Sequence, residues 1–353
     1  MLDRLPIPAR IPILYVMLGV LLLVSVVPLY FYSAQVEAIN RDRLKTNEML
    51  LQNTVTRSLG EDIEQRHTAL RMMLSNLSSA IQVSSGGDIA GDHVASPELR
   101  ALLEKFVSSS DDLIYATILN QEAKGISAGR MTPDAFLQRE LESAYAAARD
   151  NRPYNGQAIS VGSGKNTRTI MVVSTPVTGG GRFIGMIAAV VDLKFLIGRL
   201  QQVSTGGLTT YVVDRQGRLV AGATWDYATG QDMTKFEIVK NFAEQGGKAQ
   251  FAATREFDVK EGKESVPMLG TYSPVQTLGW AVVAQKKQKD AYQGVWEMQR
   301  SARLWAFFAV LMSIVVSVKI SSGLVMRLAA KILMPILSST ASRASRRAVC
   351  CIS

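Results

Sequence analysis

From Ile11 to Tyr32 the chain reads IPILYVMLGVLLLVSVVPLYFY, 22 residues without a charge. A run of about 20 apolar residues matches the hydrocarbon thickness of a bilayer, so this stretch restricts the chain to architectures that begin at a membrane. Pro12 and Pro28 stand near its ends, where a break is tolerated. Arg4 and Arg10 ahead of it resemble the positive start of a signal peptide. However, the run exceeds the core of such a peptide, about 7 to 15 residues, and bulky Tyr32 stands where a small residue would precede a cut. Residues 11–32 therefore read as an uncleaved anchor.

A second apolar run begins at Leu304 with LWAFFAVLMSIVVSV, 15 uncharged residues, and continues through Lys319 into ISSGLVM. A lysine near one end of a span reaches the headgroups with its ammonium, so the second span is placed at 303–323. Tyr292, Trp296 and Trp305 at its start form an aromatic cluster of the kind found at a membrane interface. Arg4 and Arg10 precede the first span, and Lys319, Arg327, Lys331, Arg343, Arg346 and Arg347 lie at or beyond the end of the second. Positive flanks stay inside, so both termini read as cytoplasmic and the 270 residues from 33 to 302 as lying outside.

The formal charge of +9 is concentrated in part beside these spans, where anionic lipid headgroups are a simpler partner than nucleic acid. No nucleic-acid partner is expected. The exported region has no cysteine, so its fold rests on core burial and not on disulfides. Cys350 and Cys351 fall at the far end, open to acylation or without a role.

After the first span, Val36, Ile39, Leu44, Leu51, Val55, Leu59, Ile63, Leu70, Leu74, Leu77 and Ile81 recur mostly three, four or seven apart. That period predicts a long helix over 33–85 with one apolar face. A helix of this length has more stripe than one small lobe can cover, which points to a homodimer. SSGGD at 84–88 ends it.

The exported region then says the same thing twice. ATILNQEAKGISAG and TYVVDRQGRLVAGA are hairpins, each followed by a helical stretch, from about Pro133 to Arg149 and over DMTKFEIVKNFAEQG. Strand pairs follow: TRTIMVVSTPV with RFIGMIAAVVDL, joined by TGGG, and the pair within SVPMLGTYSPVQTLGWAVVAQK after the strand GKAQFAATREFDV. Pro176-Val177 matches Pro274-Val275, and Gly185 matches Gly279. A short helix, LKFLIGRLQQV, joins the halves. Two copies of one mixed unit are present.

An anchor, a long helix, two tandem PAS-like lobes, a second span and basic cytoplasmic residues resemble a double-Cache bacterial receptor. The hairpins around Asn120 and Asp214, the Pro-Val strand pairs, Asp192 and the LGTYSPVQTLGWAVVAQK segment carry the resemblance. It implies an α+β fold in which a long N-terminal helix and two Cache lobes with antiparallel sheets are flanked by two transmembrane helices. The implied organisation is a cytoplasmic N-terminus at 1–10, the anchor at 11–32, a sensor at 33–302 and the second span at 303–323. Within the sensor, the helix at 33–85 leads to a membrane-distal lobe at 86–203 and a membrane-proximal lobe at 204–302. Beyond the second span, MRLAAKILMPILSSTASRASRRA, with Pro335, resembles the first helix of a HAMP linker, truncated within 324–353.

Chemistry is sparse. VGSGKNT lacks the Walker spacing, because Ile159 stands five before Gly164 and Asn166 follows Lys165. His67 and His93 are the only histidines and no Gly-x-Ser-x-Gly elbow occurs, so neither a metal centre, a cofactor nor an enzyme is expected.

The resemblance places a small ligand in the distal lobe, between its sheet and the segment from about Arg130 to Tyr154. Tyr115, Arg130, Tyr154, Arg168 and Asp192 are the candidate ligand-binding residues. Arg130 or Arg168 suits a carboxylate or phosphate, and Asp192 an amine. Amino-acid-sensing members carry Arg-x-Trp-Tyr before the pocket, where this chain has RMTPDAF and RPYNG. The function implied is signal transduction of the chemotaxis or two-component kind: ligand capture outside, relayed through the second span to a HAMP linker, with the output domain missing. The other reading is a membrane-anchored binding or scaffold protein that pairs with full-length receptors.

Overall fold

The computed structural model describes residues 13–84, 89, 94–162, 167–224, 227–246, 249, 251–261, 264–291 and scattered positions from 300 to 319. Residues 1–10, read from the sequence as a cytoplasmic N-terminus, residues 324–353, read as HAMP-like, Cys350, Cys351 and His93 lie outside the described residues, as does most of 303–323, read as a second span. The chain divides into two compact units, one formed by residues 1–44 with 292–353, the other by Lys45–Ala291.

The first helix, α1, runs from Ile13 to Ser84, 72 residues with Pro28 inside it. Residues 13–32 and 33–84, read from the sequence as two segments, are thus one continuous helix. Among the described residues no helix is long and apolar enough to cross a membrane.

Within the second unit, α2 spans Pro97–Ser108, started by the Ser96 side chain accepting from Leu99 N and by proline at its first turn. A hairpin of β1 (Leu113–Asn120) and β2 (Gly125–Gly129) comes next, then α3 (Ala135–Arg149), capped by Asp134 Oδ1 accepting from Leu137 N at 2.8 Å. The short strands β3 (Tyr154–Asn155) and β4 (Ile159–Val161) lead to the long pair β5 (Arg168–Gly179) and β6 (Arg182–Asp192). The order β2-β1-β6-β5-β3, with β4 also on β5, makes a six-stranded antiparallel sheet.

Helix α4 (Lys194–Val203) bridges to β7 (Thr209–Val213), β8 (Leu219–Gly222), α5 (Glu237–Glu244), β9 (Ala253–Glu261), β10 (Glu264–Val275), β11 (Trp280–Lys287) and the single turn α6 (Gln288–Ala291). Here the order is β8-β7-β11-β10-β9, so in both sheets the hairpin is extended by the final strand of its set.

The duplication reaches single hydrogen bonds. In the first hairpin Asn120 Oδ1 accepts from Glu122 N at 2.9 Å and Lys124 N at 3.0 Å. In the second, Asp214 Oδ1 accepts from Gln216 N and Arg218 N, both at 2.9 Å. A short Asn or Asp side chain satisfies turn amides in this way, which is why these residue types head both turns.

Each sheet is covered on both faces, and its central strands read as nearly unbroken apolar runs for that reason. On one face Met171, Val173, Ile187 and Ala189 of the first sheet and Val212, Val275, Trp280 and Val282 of the second join a single core with Leu59, Ile63, Leu74, Leu77 and Ile81 of α1. The predicted stripe is therefore largely buried against its own chain. Leu51 and Ile39 from it remain 51% and 45% exposed. On the other faces, α3 covers Ile170, Val172, Ala188 and Val190 of the first sheet, and α5 covers Tyr211, Val213, Ala281 and Val283 of the second.

Candidate functional site

Strand register assigns the candidate side chains to faces. Partners directly opposite in a sheet point the same way. Tyr115 pairs with Val190, Val190 with Val172, Ala188 with Ser174, and Ser174 with Tyr154. Val172, Val190 and Ala188 belong to the core under α3, so Tyr115, Ser174 and Tyr154 face α3 as well. Arg168 and Asp192 fall on the same parity of β5 and β6.

Four of the five candidates thus share one face of the first sheet. They do not form one cluster. Asp192 pairs with Ile170, four residues along β5 from Ser174, or about 13 Å at the rise of an extended strand. At one end Arg168 Nη1 lies 3.9 Å from Asp192 Oδ2, the arginine side chain exposed and the aspartate buried. Asp192 Oδ1 also accepts from Lys194 N at 2.9 Å, so this carboxylate orders the entry to α4. At the other end Tyr154 donates its hydroxyl to Glu140 Oε2 at 2.9 Å. Burial, and after it the neighbouring Glu140 carboxylate, push the Tyr154 phenol up to about 12, so it stays a donor throughout the physiological range. Buried Tyr115 lies between the two ends over an apolar floor of Val172 and Val190.

Arg130 is the exception. It follows β2 with an exposed side chain, held by its backbone N–H to Ile114 O at 2.8 Å.

Two residues of this face were absent from the sequence reading. Glu140 shows itself only through α3 periodicity, which turns it toward Tyr154. Ser174 is buried, and its Oγ has no hydrogen-bond partner among the described residues. Ser174 and Thr175 interrupt the apolar run of IMVVSTPV, a visible signal, but the lack of a partner at Ser174 depends on what α3 brings above it. An unpartnered buried hydroxyl is unfavourable by about 1 to 3 kcal/mol and so marks a place where a further polar group belongs. Gly156 lets the chain pass close: a Cβ there would stand 2.6 Å from Glu140 Oε2 and 3.1 Å from Val172 O.

The opposite face of the sheet is joined to α1 by polar contacts. Arg71 donates to Ser174 O at 2.8 Å, Tyr154 O at 3.1 Å and Asn155 Oδ1 at 2.5 Å, and His67 Nε2 lies 3.0 Å from the same Asn155 oxygen. Burial lowers the His67 pKa below its usual 6.5, partly opposed by the Asn155 contact. A cavity of about 190 Å³ also lies on this side, bounded by α1, Leu113, Met171, Phe195 and Trp280. Among the described residues no group of His, Cys, Asp and Glu could hold a metal.

Residues 37–295 match the family model described as Cache domain. No curated protein matches the chain in sequence. Among solved structures, the fold is similar to the sensory domain of the Campylobacter jejuni chemoreceptor Tlp3 (CcmL), with TM-score 0.54 and 13% identity over 72% of this chain and 99% of that one. The same receptor with isoleucine bound gives TM-score 0.52 and 12% identity over 71% and 97% of the two chains. The ligand-binding domain of Mlp24 with asparagine gives 0.51 and 13% over 72% and 98%. At such identities the likeness is one of fold.

Proposed function

The chain belongs to the Cache domain family, and from that membership we propose that it is a transmembrane receptor whose first lobe binds a small polar ligand from outside the cell. The observation that carries this reading is the α3 face of the first sheet, with the buried unpartnered hydroxyl of Ser174 beside the Tyr154–Glu140 pair. Tyr115, Tyr154, Arg168 and Asp192 line that face, and Arg130 stands at its rim. Glu140 and Asp192 are buried or half-buried acceptors suited to a ligand amine, and Arg168 to an acidic group. Related domains are solved with isoleucine and with asparagine, which supports an amine-bearing ligand. The Arg-x-Trp-Tyr pattern is missing here, so the ligand is one that needs no such clamp.

The membrane placement is part of the proposal. It rests on the uncharged run of residues 11–32, whose Leu23, Val24 and Phe31 are 64%, 64% and 66% exposed and would be covered by lipid. In this reading the first lobe is membrane-distal, the second membrane-proximal, the sensor occupies 33–302, and the signal leaves through 303–323 toward the HAMP-like segment at 324–353. A homodimer through the exposed Leu50 and Leu51 of α1 completes it.

A thermal-melt screen of the purified chain against amino acids, amines and small carboxylates tests the ligand site. A ligand at 100 times its dissociation constant adds about 2.7 kcal/mol to stability, a readily visible shift. Ser174→Val and Asp192→Asn should each reduce that shift with the ligand-free melt nearly unchanged. Full binding in both variants would place the ligand elsewhere.

A further inference from the structure

The cavity on the α1 side of the first sheet is separate from the ligand face, because the sheet itself lies between them. Its volume of about 190 Å³ exceeds the roughly 150 Å³ of an engineered protein cavity known to take up benzene. One wall is α1, contributed by Ile63, Ala69, Leu70 and Met73. The floor is Leu113, Met171 and Val191 of the first sheet. The far wall is Phe195, at the start of α4, and Trp280, at the start of β11. Residues of α1, the first sheet, α4 and β11 thus border one largely apolar space.

Its polar lining is Arg66, His67, Ser110 and Asp112. Arg66 stacks its guanidinium 4.5 Å above the Phe195 ring and lies 3.5 Å from both Asp62 and Asp112, so its charge is already engaged. The 3.5 Å contact is long for a charged hydrogen bond and leaves Asp112 oxygen lone pairs available to a donor. Asp112 would repel an anion and the Arg66 guanidinium beside it a cation, while His67, also in the lining, has its Nε2 3.0 Å from Asn155 Oδ1. Met73, 42% exposed, is an adaptable thioether at the mouth.

We propose that this cavity is a second ligand site, taking an uncharged aromatic molecule of about eight non-hydrogen atoms with one O–H or N–H donor directed at Asp112. The occupant would touch α1 and both lobes at once and brace their junction. The site stands whether or not the α3 face binds the ligand assigned to it.

The test uses the full chain in lipid nanodiscs with its methionine methyls labelled with carbon-13, and 4-methylphenol as the probe. Met171 is buried on the cavity floor and Met73 is at the mouth, and their signals are identified by replacing each with leucine. Both should shift saturably with one dissociation constant, whereas probe dissolved in lipid moves only methyls beside the membrane, without saturation. Ala69→Phe, which fills the space from α1, should abolish the Met171 shift. If that substitution collapses the methyl dispersion, Met73→Phe at the exposed mouth carries the same test. Asp112→Asn should weaken 4-methylphenol by about tenfold and leave toluene unchanged, because only the phenol donates to residue 112 and a neutral amide oxygen accepts less strongly than a carboxylate. A Met171 signal that stays still up to the solubility of the probe, or that moves equally in the filled variants, overturns the site. Equal loss of toluene and 4-methylphenol in Asp112→Asn overturns the donor class.

Discussion

Gly217 and Ala123 hold the same place in the two hairpin turns, and both lie at positive φ, 79° and 60°. Only glycine reaches that region without hindrance, so the second turn is relaxed and the first is strained. At Gly217 a Cβ would stand 2.8 Å from Thr234 Cγ2 and 3.1 Å from Val239 Cγ1. Gly217→Val should therefore lose at least the 1 to 2 kcal/mol, roughly, of a left-handed residue, seen as a lowered thermal midpoint. Ala123→Gly should do the reverse and raise the midpoint slightly, by up to about 1 kcal/mol. The two hairpin sequences align these positions, whereas the strain at Ala123 is visible only in the backbone. His67 makes a second residue-scale prediction. Its folded pKa lies below the unfolded value of 6.5, so the unfolded chain takes up a proton first and stability falls as pH drops below that value. Denaturant midpoints between pH 7.5 and 5.5 should fall less steeply in His67→Gln, where Asn155 and Arg71 keep a neutral neighbour. An unchanged slope would mean that the ring is solvated in solution.

Among elements, α1 is held by both lobes through different chemistry. Against the first lobe it uses Arg71 and His67; against the second it uses a buried polar cluster. Lys286 Nζ on β11 lies 3.2 Å from Glu48 Oε2, and Gln52 accepts from Thr271 Oγ1 at 3.2 Å while bonding Glu48. Both charged side chains are largely buried, at 14% and 9% exposure. Removing one partner of such a pair leaves the other uncompensated, which costs about 3 kcal/mol, whereas replacing both with apolar groups is much less harmful. Glu48→Leu and Lys286→Met should each lower stability strongly, and the double variant should lose less than their sum in a denaturation cycle. Additive losses would show that the pair is hydrated. The sequence made most elements legible, since alternation and turn residues fix hairpins locally and apolar spacing fixes α1. Helix α2 was overlooked although Ser96, Pro97 and Glu98 are a helix start. The site was less legible. Asp192 is a candidate from the resemblance alone, and its bond to Lys194 N is a structural task that spacing does not separate from ligand binding. Glu140 and Ser174 became candidates only when α3 was seen to lie over β5.

For the whole molecule, the proposed membrane arrangement has a direct topological test. Alkaline phosphatase fused after Ser353 or Arg4 should be inactive and, inserted at Gly86, active, because the positive flanks hold both ends inside. Activity at Ser353 would invert the second span. The strand order β2-β1-β6-β5 and its repeat β8-β7-β11-β10 bear on how such a chain can be made. In each sheet the strand that lies beside the hairpin is the last of its set to be synthesised. Leu119 must wait for Met186, and Val212 for Val282, before its backbone is paired. The wait is longest for α1, whose Ile63 emerges early and shares a core with Trp280. Contacts so distant along the chain form slowly. A chain with this strand order is therefore synthesised with the apolar face of α1 uncovered until β11 arrives, an interval in which it is exposed to misassembly.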